Sequence, residues 1–127
     1  LLTDKSVKAY LADQPIDKSN PYLYHKTTIR DQYDEVEIRE SDNFSTLLWN
    51  VHGELTEFSI GNLVLKMNGH YLTPPIDAGL LPGVFRQGLL EQGKISEAIL
   101  RKEDLKKAEE IWLINAVRGW VKVGKII

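Results

Sequence analysis

Apolar and polar positions alternate along several short stretches of this chain, and residues that favour turns fill the gaps between them. Val7 to Ala12 alternate loosely enough to predict a strand, and the Asp13-Gln14-Pro15-Ile16-Asp17-Lys18-Ser19-Asn20-Pro21 run that follows predicts a loop over 13–21. Ile29, Gln32, Tyr33 and Val36 carry a helical period, which predicts a short helix over about Thr28–Glu35. Three strands are predicted next, over Ser45–Val51, Leu55–Ile60 and Leu63–Lys66, as an antiparallel meander. Asn68-Gly69 then sits between Leu63-Val64-Leu65 and His70-Tyr71-Leu72, and this dipeptide suits a type I′ turn, whose two central residues both need positive φ.

In the second half, Val84, Leu89 and Leu90 behind Pro82 predict a helix over Gly83–Gln92. Ile95–Leu100 reads as a strand, and Glu103–Glu110 as a highly charged helix with Leu105 and Ala108 facing inward. The unbroken apolar run Ile111-Trp112-Leu113-Ile114 suits a strand buried on both faces, and it runs out into Asn115-Ala116-Val117-Arg118-Gly119-Trp120. Strand pairs alternating with single helices predict a mixed α/β domain.

Length and composition narrow this picture. A chain of 127 residues, 43% apolar and 27% charged, is expected to be one ordinary globular domain. With 16 basic and 18 acidic residues mixed along the chain, the net charge of −2 gives no footprint for nucleic acid or an anionic lipid surface. The absence of cysteine removes disulfides, thiolate nucleophiles and thiolate metal sites. His25, His52 and His70 lack ligand-like spacing, so no metal is expected. No apolar run approaches the roughly 20 residues that span a bilayer, and no leader opens the chain; the expected setting is the cytoplasm, without a membrane partner.

Local chemistry offers few candidates. Lys26, between an aromatic segment and two threonines, is either a surface lysine or an amine whose partial burial suits Schiff-base chemistry. Glu57 lies mid-strand among Leu55, Phe58 and Ile60, where alternation slightly favours an outward position. Gly83-Val84-Phe85-Arg86 opens a helix, and its backbone N–H groups suit a phosphate. No Gly-x-Ser-x-Gly elbow, Walker loop or dinucleotide fingerprint is present.

Several segments then act together: His25-Lys26-Thr27-Thr28-Ile29-Arg30, Leu55-Thr56-Glu57 with Asn62-Leu63, Thr73-Pro74-Pro75, Gly79-Leu80-Leu81-Pro82-Gly83-Val84-Phe85-Arg86, and Ile114-Asn115-Ala116-Val117-Arg118-Gly119-Trp120. In this order they resemble the class IV aminotransferases, and most closely the aminodeoxychorismate lyases, including those fused to aminodeoxychorismate synthase component I. The resemblance covers the cofactor-binding C-terminal half of that family. It implies a mixed, partly barrel-like sheet with flanking helices, and residues 1–127 as a single pyridoxal-phosphate-binding domain with 13–21 as an interdomain-side loop. The chain opens on Leu1-Leu2 rather than Met, and it is expected to be a piece of a longer protein.

By the resemblance, Lys26 is the lysine that links to pyridoxal 5′-phosphate and moves the proton. Glu57 is the carboxylate that pairs with the pyridine nitrogen, with Asn62 beside it, which reverses the outward reading of Glu57. Gly83, Val84 and Phe85 form a phosphate cup at the helix start, and Asn115 and Ala116 a second phosphate-side turn. Phe85 and Ala116 stand where transaminases commonly have hydroxyl residues. Arg30 and Arg118 are the substrate-binding candidates. The implied reaction releases pyruvate from 4-amino-4-deoxychorismate to give 4-aminobenzoate, a step toward folate. The alternatives are amino transfer on branched-chain or D-amino acids, and an isolated cofactor domain without activity. The family's N-terminal half, which adds a phosphate-binding arginine, part of the substrate pocket and much of a homodimer contact, is expected to lie outside this chain.

Overall fold

The computed structural model describes residues 7–16 and 44–126, and these build one mixed sheet of eight strands. In chain order the strands are β1 (Val7–Leu11), β2 (Phe44–Trp49), β3 (Leu55–Phe58), β4 (Gly61–Met67), β5 (His70–Thr73), β6 (Ser96–Glu97), β7 (Glu110–Asn115) and β8 (Gly119–Ile126). Among the described residues one α-helix, α1 (Val84–Glu91), lies between β5 and β6, and 3-10 turns occupy Ile76–Ala78 and Lys102–Lys106. Lys26, Arg30, the expected helix over 28–35 and the later part of the 13–21 loop lie outside the described residues. Of that loop, Ile16 is buried and donates its N–H to the Trp49 carbonyl at 2.7 Å.

The strands run in the order β3-β2-β1-β8-β7-β4-β5-β6, and β3 also pairs with β4. β1 is parallel to both β2 and β8, β6 is parallel to β5, and the remaining pairs are antiparallel. β4 bonds β7 from Asn62 to Lys66, while β3 takes its first residues and β5 its last three. The sheet therefore curls into a half-barrel in which β3, β2, β1, β8, β7 and β4 form a ring.

The curl divides the apolar side chains into two main cores. Every ring strand contributes to the first: Ala9, Leu47, Leu55, Phe58, Leu63, Leu65, Leu113 and Val123 are all buried in it. The second lies on the other face of β4 and β7, where Val64 and Ile114 pack against Leu89 of α1 and Ile95. Alternation along β4 explains the division, because successive side chains of a strand point to opposite faces. Both faces of these strands are covered, which is what the apolar Leu113-Ile114 pair requires.

The predicted meander is present, and so is the hairpin at Asn68-Gly69, where φ is 54° and 80° and Met67 faces His70. The predicted helix over 83–92 is α1. Two expectations are corrected, and one strand lies where none is predicted. The strand over 95–100 is reduced to Ser96–Glu97, because Ile95 is buried in the second core and Leu100 in the first, so the segment crosses between cores. The charged helix is a 3-10 turn over Lys102–Lys106; Glu109 then donates its N–H to the Lys66 carbonyl at 2.7 Å and pulls the chain into β7. β8 was not foreseen, although Val121 and Val123 flanking Lys122 after Gly119 give a period of two.

Candidate functional site

Glu57 and Asn62 face each other in register across the β3–β4 turn, and both are buried, at 3% and 5% exposure. Their side chains meet the loop that leads into α1. Leu81 donates its N–H to Glu57 Oε1 at 3.4 Å, and its carbonyl accepts from Asn62 Nδ2 at 3.0 Å. Asn62 Oδ1 accepts the N–H of Gly83 at 3.3 Å. One strand pair thus holds both ends of the Leu81 peptide and the residue that starts the helix. Glycine at 83 is required by this contact, since a Cβ there would stand 2.7 Å from Asn62 Oδ1.

Gly83 is the N-cap of α1, and it brings no side-chain cap. The first turn, Val84-Phe85-Arg86, contains no acidic residue, so nothing on the helix itself answers its N–H groups. Helix geometry leaves these amides without intrahelical acceptors and places the positive end of the dipole there. Val84 is 83% exposed, so the turn is accessible.

The β7–β8 turn forms the facing wall. Asn115 Oδ1 accepts the N–H groups of Val117 and Arg118 at 3.1 and 2.7 Å, and its Nδ2 donates to the Ile60 carbonyl at 3.1 Å. The Asn115 side chain therefore shapes the turn and fastens it to the β3–β4 turn, and the turn offers mainly backbone to a ligand. Between this turn and α1 runs a groove of about 330 Å³ lined by Val84, Phe85, Gly88, Leu89, Ala116 and Trp120 among others. Trp120 is braced edge-on by Trp112 and Tyr71, with ring centroids 5.6 and 5.5 Å apart.

Of the predicted site residues, Glu57 and Asn62 bind the loop into α1, Asn62 reaches Gly83 just ahead of Val84 and Phe85, Val84, Phe85 and Ala116 line the groove, and Asn115 fastens the facing turn to the Ile60 carbonyl. Arg118 is exposed on the same β7–β8 turn. Lys26 and Arg30 lie outside the described residues. The sequence reading missed the part taken by the Leu81 backbone, and it gave Arg86 no role; the signal for the latter was a lone arginine among the apolar positions of a short helix.

Comparisons with known proteins place the chain in a class. Residues 2–126 match the family model of amino-transferase class IV, and the chain belongs to that family. It is 37% identical over 108 residues to a Schizosaccharomyces pombe protein named "Putative aminodeoxychorismate lyase", covering 80% of this chain and 47% of that one. A solved structure named as a "Putative amino-acid aminotransferase" from Mesorhizobium loti superposes with a TM-score of 0.80 at 33% identity, over 98% of this chain and 62% of that one. The 4-amino-4-deoxychorismate lyase of Pseudomonas aeruginosa shares the fold, with a TM-score of 0.78 at 18% identity over 98% of this chain and 49% of that one. The chain spans about half the length of the curated relative and under two thirds of the Mesorhizobium structure.

The family's members use pyridoxal phosphate, and the residues present fit such a group. A buried carboxylate at Glu57 suits a cationic ring nitrogen, and an uncapped, acid-free helix start suits a phosphate. The fit is in the donor set: one acid, one amide and free backbone N–H groups, next to a groove with an aromatic wall. Among the described residues no helix is long and apolar enough to cross a membrane.

Proposed function

We propose that the full-length protein is a pyridoxal-phosphate-dependent lyase that releases pyruvate from 4-amino-4-deoxychorismate to give 4-aminobenzoate. The observation that carries a cofactor site of this kind is the Glu57–Asn62 pair holding the loop into an uncapped helix start. The choice of lyase rests on the name of the Schizosaccharomyces pombe relative. The second reading, amino transfer to a keto acid, is favoured by the Mesorhizobium structure, whose match covers more of this chain.

When bound, pyridoxal phosphate supplies an electron-accepting ring that stabilises negative charge on the substrate carbon beside the amine. Glu57 keeps a proton on the ring nitrogen by accepting its hydrogen bond. Asn62 keeps Leu81 and Gly83 in place, and the N–H groups of Val84 and Phe85 bind the phosphate. Lys26, by the resemblance, would hold the cofactor, and its Nζ, as a free amine once the substrate amine has taken its place, would accept a proton from the substrate and return one as pyruvate leaves. Arg118, and Arg30 by the same resemblance, bind a substrate carboxylate. The remaining wall of the site and a homodimer contact belong to the parts of the full-length protein beyond this chain, and the protein works in the cytoplasm.

The test is to give the full-length protein 4-amino-4-deoxychorismate with and without a keto acid. Formation of 4-aminobenzoate and pyruvate without the keto acid supports the lyase. Strict dependence on the keto acid selects the transaminase, and no product under either condition rejects both.

A further inference from the structure

Arg86 is the largest fully buried side chain among the described residues, and neither the cofactor contacts nor the substrate contacts above use it. A charge is tolerated inside a protein only where it is paired and hydrogen-bonded. Here Nη2 donates to Glu97 Oε2 at 2.6 Å and to the Pro74 carbonyl at 3.1 Å, while Nη1 donates to Gln87 Oε1 at 2.6 Å. Nε has no acceptor among the described residues. The position is also electrostatically wrong for the helix taken alone, because a cation in the first turn opposes the dipole. An apolar side chain of similar volume would fill the space without these costs.

What an apolar side chain does not do is join three segments through directed bonds. The guanidinium joins α1 to the carbonyl that follows β5 and to the carboxylate on β6. Gly83, Val84 and Phe85 immediately precede it, so the bonds fix the first turn of α1 against the sheet. Asn62 grips that turn at Gly83, and Arg86 grips it at its other end. We propose that Arg86 is a positioning residue: with Glu97 and the Pro74 carbonyl it clamps the first turn of α1 so that its free amides stay aimed at a phosphate-bearing ligand. This rests on reading the Val84–Phe85 turn as the phosphate cup. The unfavourable sign is answered by Glu97, whose carboxylate pairs the guanidinium, so the clamp acts through its directed bonds.

The test uses the full-length protein and two probes, pyridoxal 5′-phosphate and pyridoxal, titrated by absorbance and tryptophan fluorescence. The ratio of the two dissociation constants reads what the phosphate contributes and cancels general losses of stability. Arg86→Met is expected to reduce this preference about tenfold, on the scale of one charge-assisted hydrogen-bond cluster. Arg86→Lys restores part of it, because lysine keeps the charge and loses the planar fork. Glu97→Gln, at a side chain 45% exposed, reduces it roughly threefold and decides the matter alone if Arg86→Met does not fold. A wild-type preference kept unchanged in every folded variant overturns the clamp and leaves the proposed function standing. Absence of any phosphate preference in the wild type overturns the phosphate cup and the clamp together.

Discussion

At the scale of single residues, Glu57 and Ala116 carry the most direct expectations. Glu57→Gln keeps an acceptor for the Leu81 N–H and removes the charge that holds a proton on the ring nitrogen. Activity of the full-length protein is expected to fall by about two orders of magnitude, the usual cost of losing one preorganised electrostatic partner, with the melting temperature little changed. Steady-state kinetics beside a thermal melt checks both halves. Ala116 lies exposed at the groove, facing the start of α1, and offers no side-chain donor. Ala116→Thr adds a hydroxyl there, and cofactor affinity measured by fluorescence titration is expected to rise roughly threefold, a typical net gain from one neutral hydrogen bond. Glu57 also shows a limit of pattern reading. Alternation gives a polar strand residue to solvent, but the outer face of β3 and β4 is covered by the loop into α1, so the outward side is itself an interior. Only the family motif carried that information in the sequence.

At the scale of elements, the hairpin and α1 were legible because each has a local cause. Asn68-Gly69 reaches positive φ at both central residues, and Pro82-Gly83 ahead of Val84 and Leu89 marks a helix start. The 95–100 and 103–110 segments were misread because their conformation is set from a distance, by Ile95 and Leu100 anchoring in separate cores and by Lys66 capturing Glu109. The parallel pairing of β1 with β2 and β8 has no local signature at all. The loop into α1 gives a sharper element-level prediction. Gly83→Ala forces a methyl to within 2.7 Å of Asn62 Oδ1, so the Asn62 bonds to Gly83 and Leu81 must break or shift. A destabilisation of about 1–3 kcal/mol is expected from urea unfolding, together with a loss of cofactor affinity.

At the scale of the whole molecule, the organising strand is β4. It is bonded to β7 along one edge and shared between β3 and β5 along the other, and its Leu63, Val64 and Leu65 are fully buried. Amides of β4 and of the facing β7 residues are therefore expected to exchange hydrogen most slowly among the described residues, at rates set by global unfolding. Native-state exchange followed by mass spectrometry checks this, and faster exchange in β4 than in β8 would contradict it.

The same pairing has a consequence for solubility. Strands with unsatisfied edges invite other chains to extend the sheet, and proteins limit the hazard by closing or shortening those edges. Here β3, at one end of the strand order, is occupied on both sides by β2 and β4, and the other end is the two-residue β6, with Ser96 and Glu97 both exposed. Among the described strands, then, a foreign peptide finds only that stub and the first two residues of β5 to dock against. Glu97, the counterion that holds Arg86, also puts a carboxylate on that stub, where a second chain would have to desolvate it.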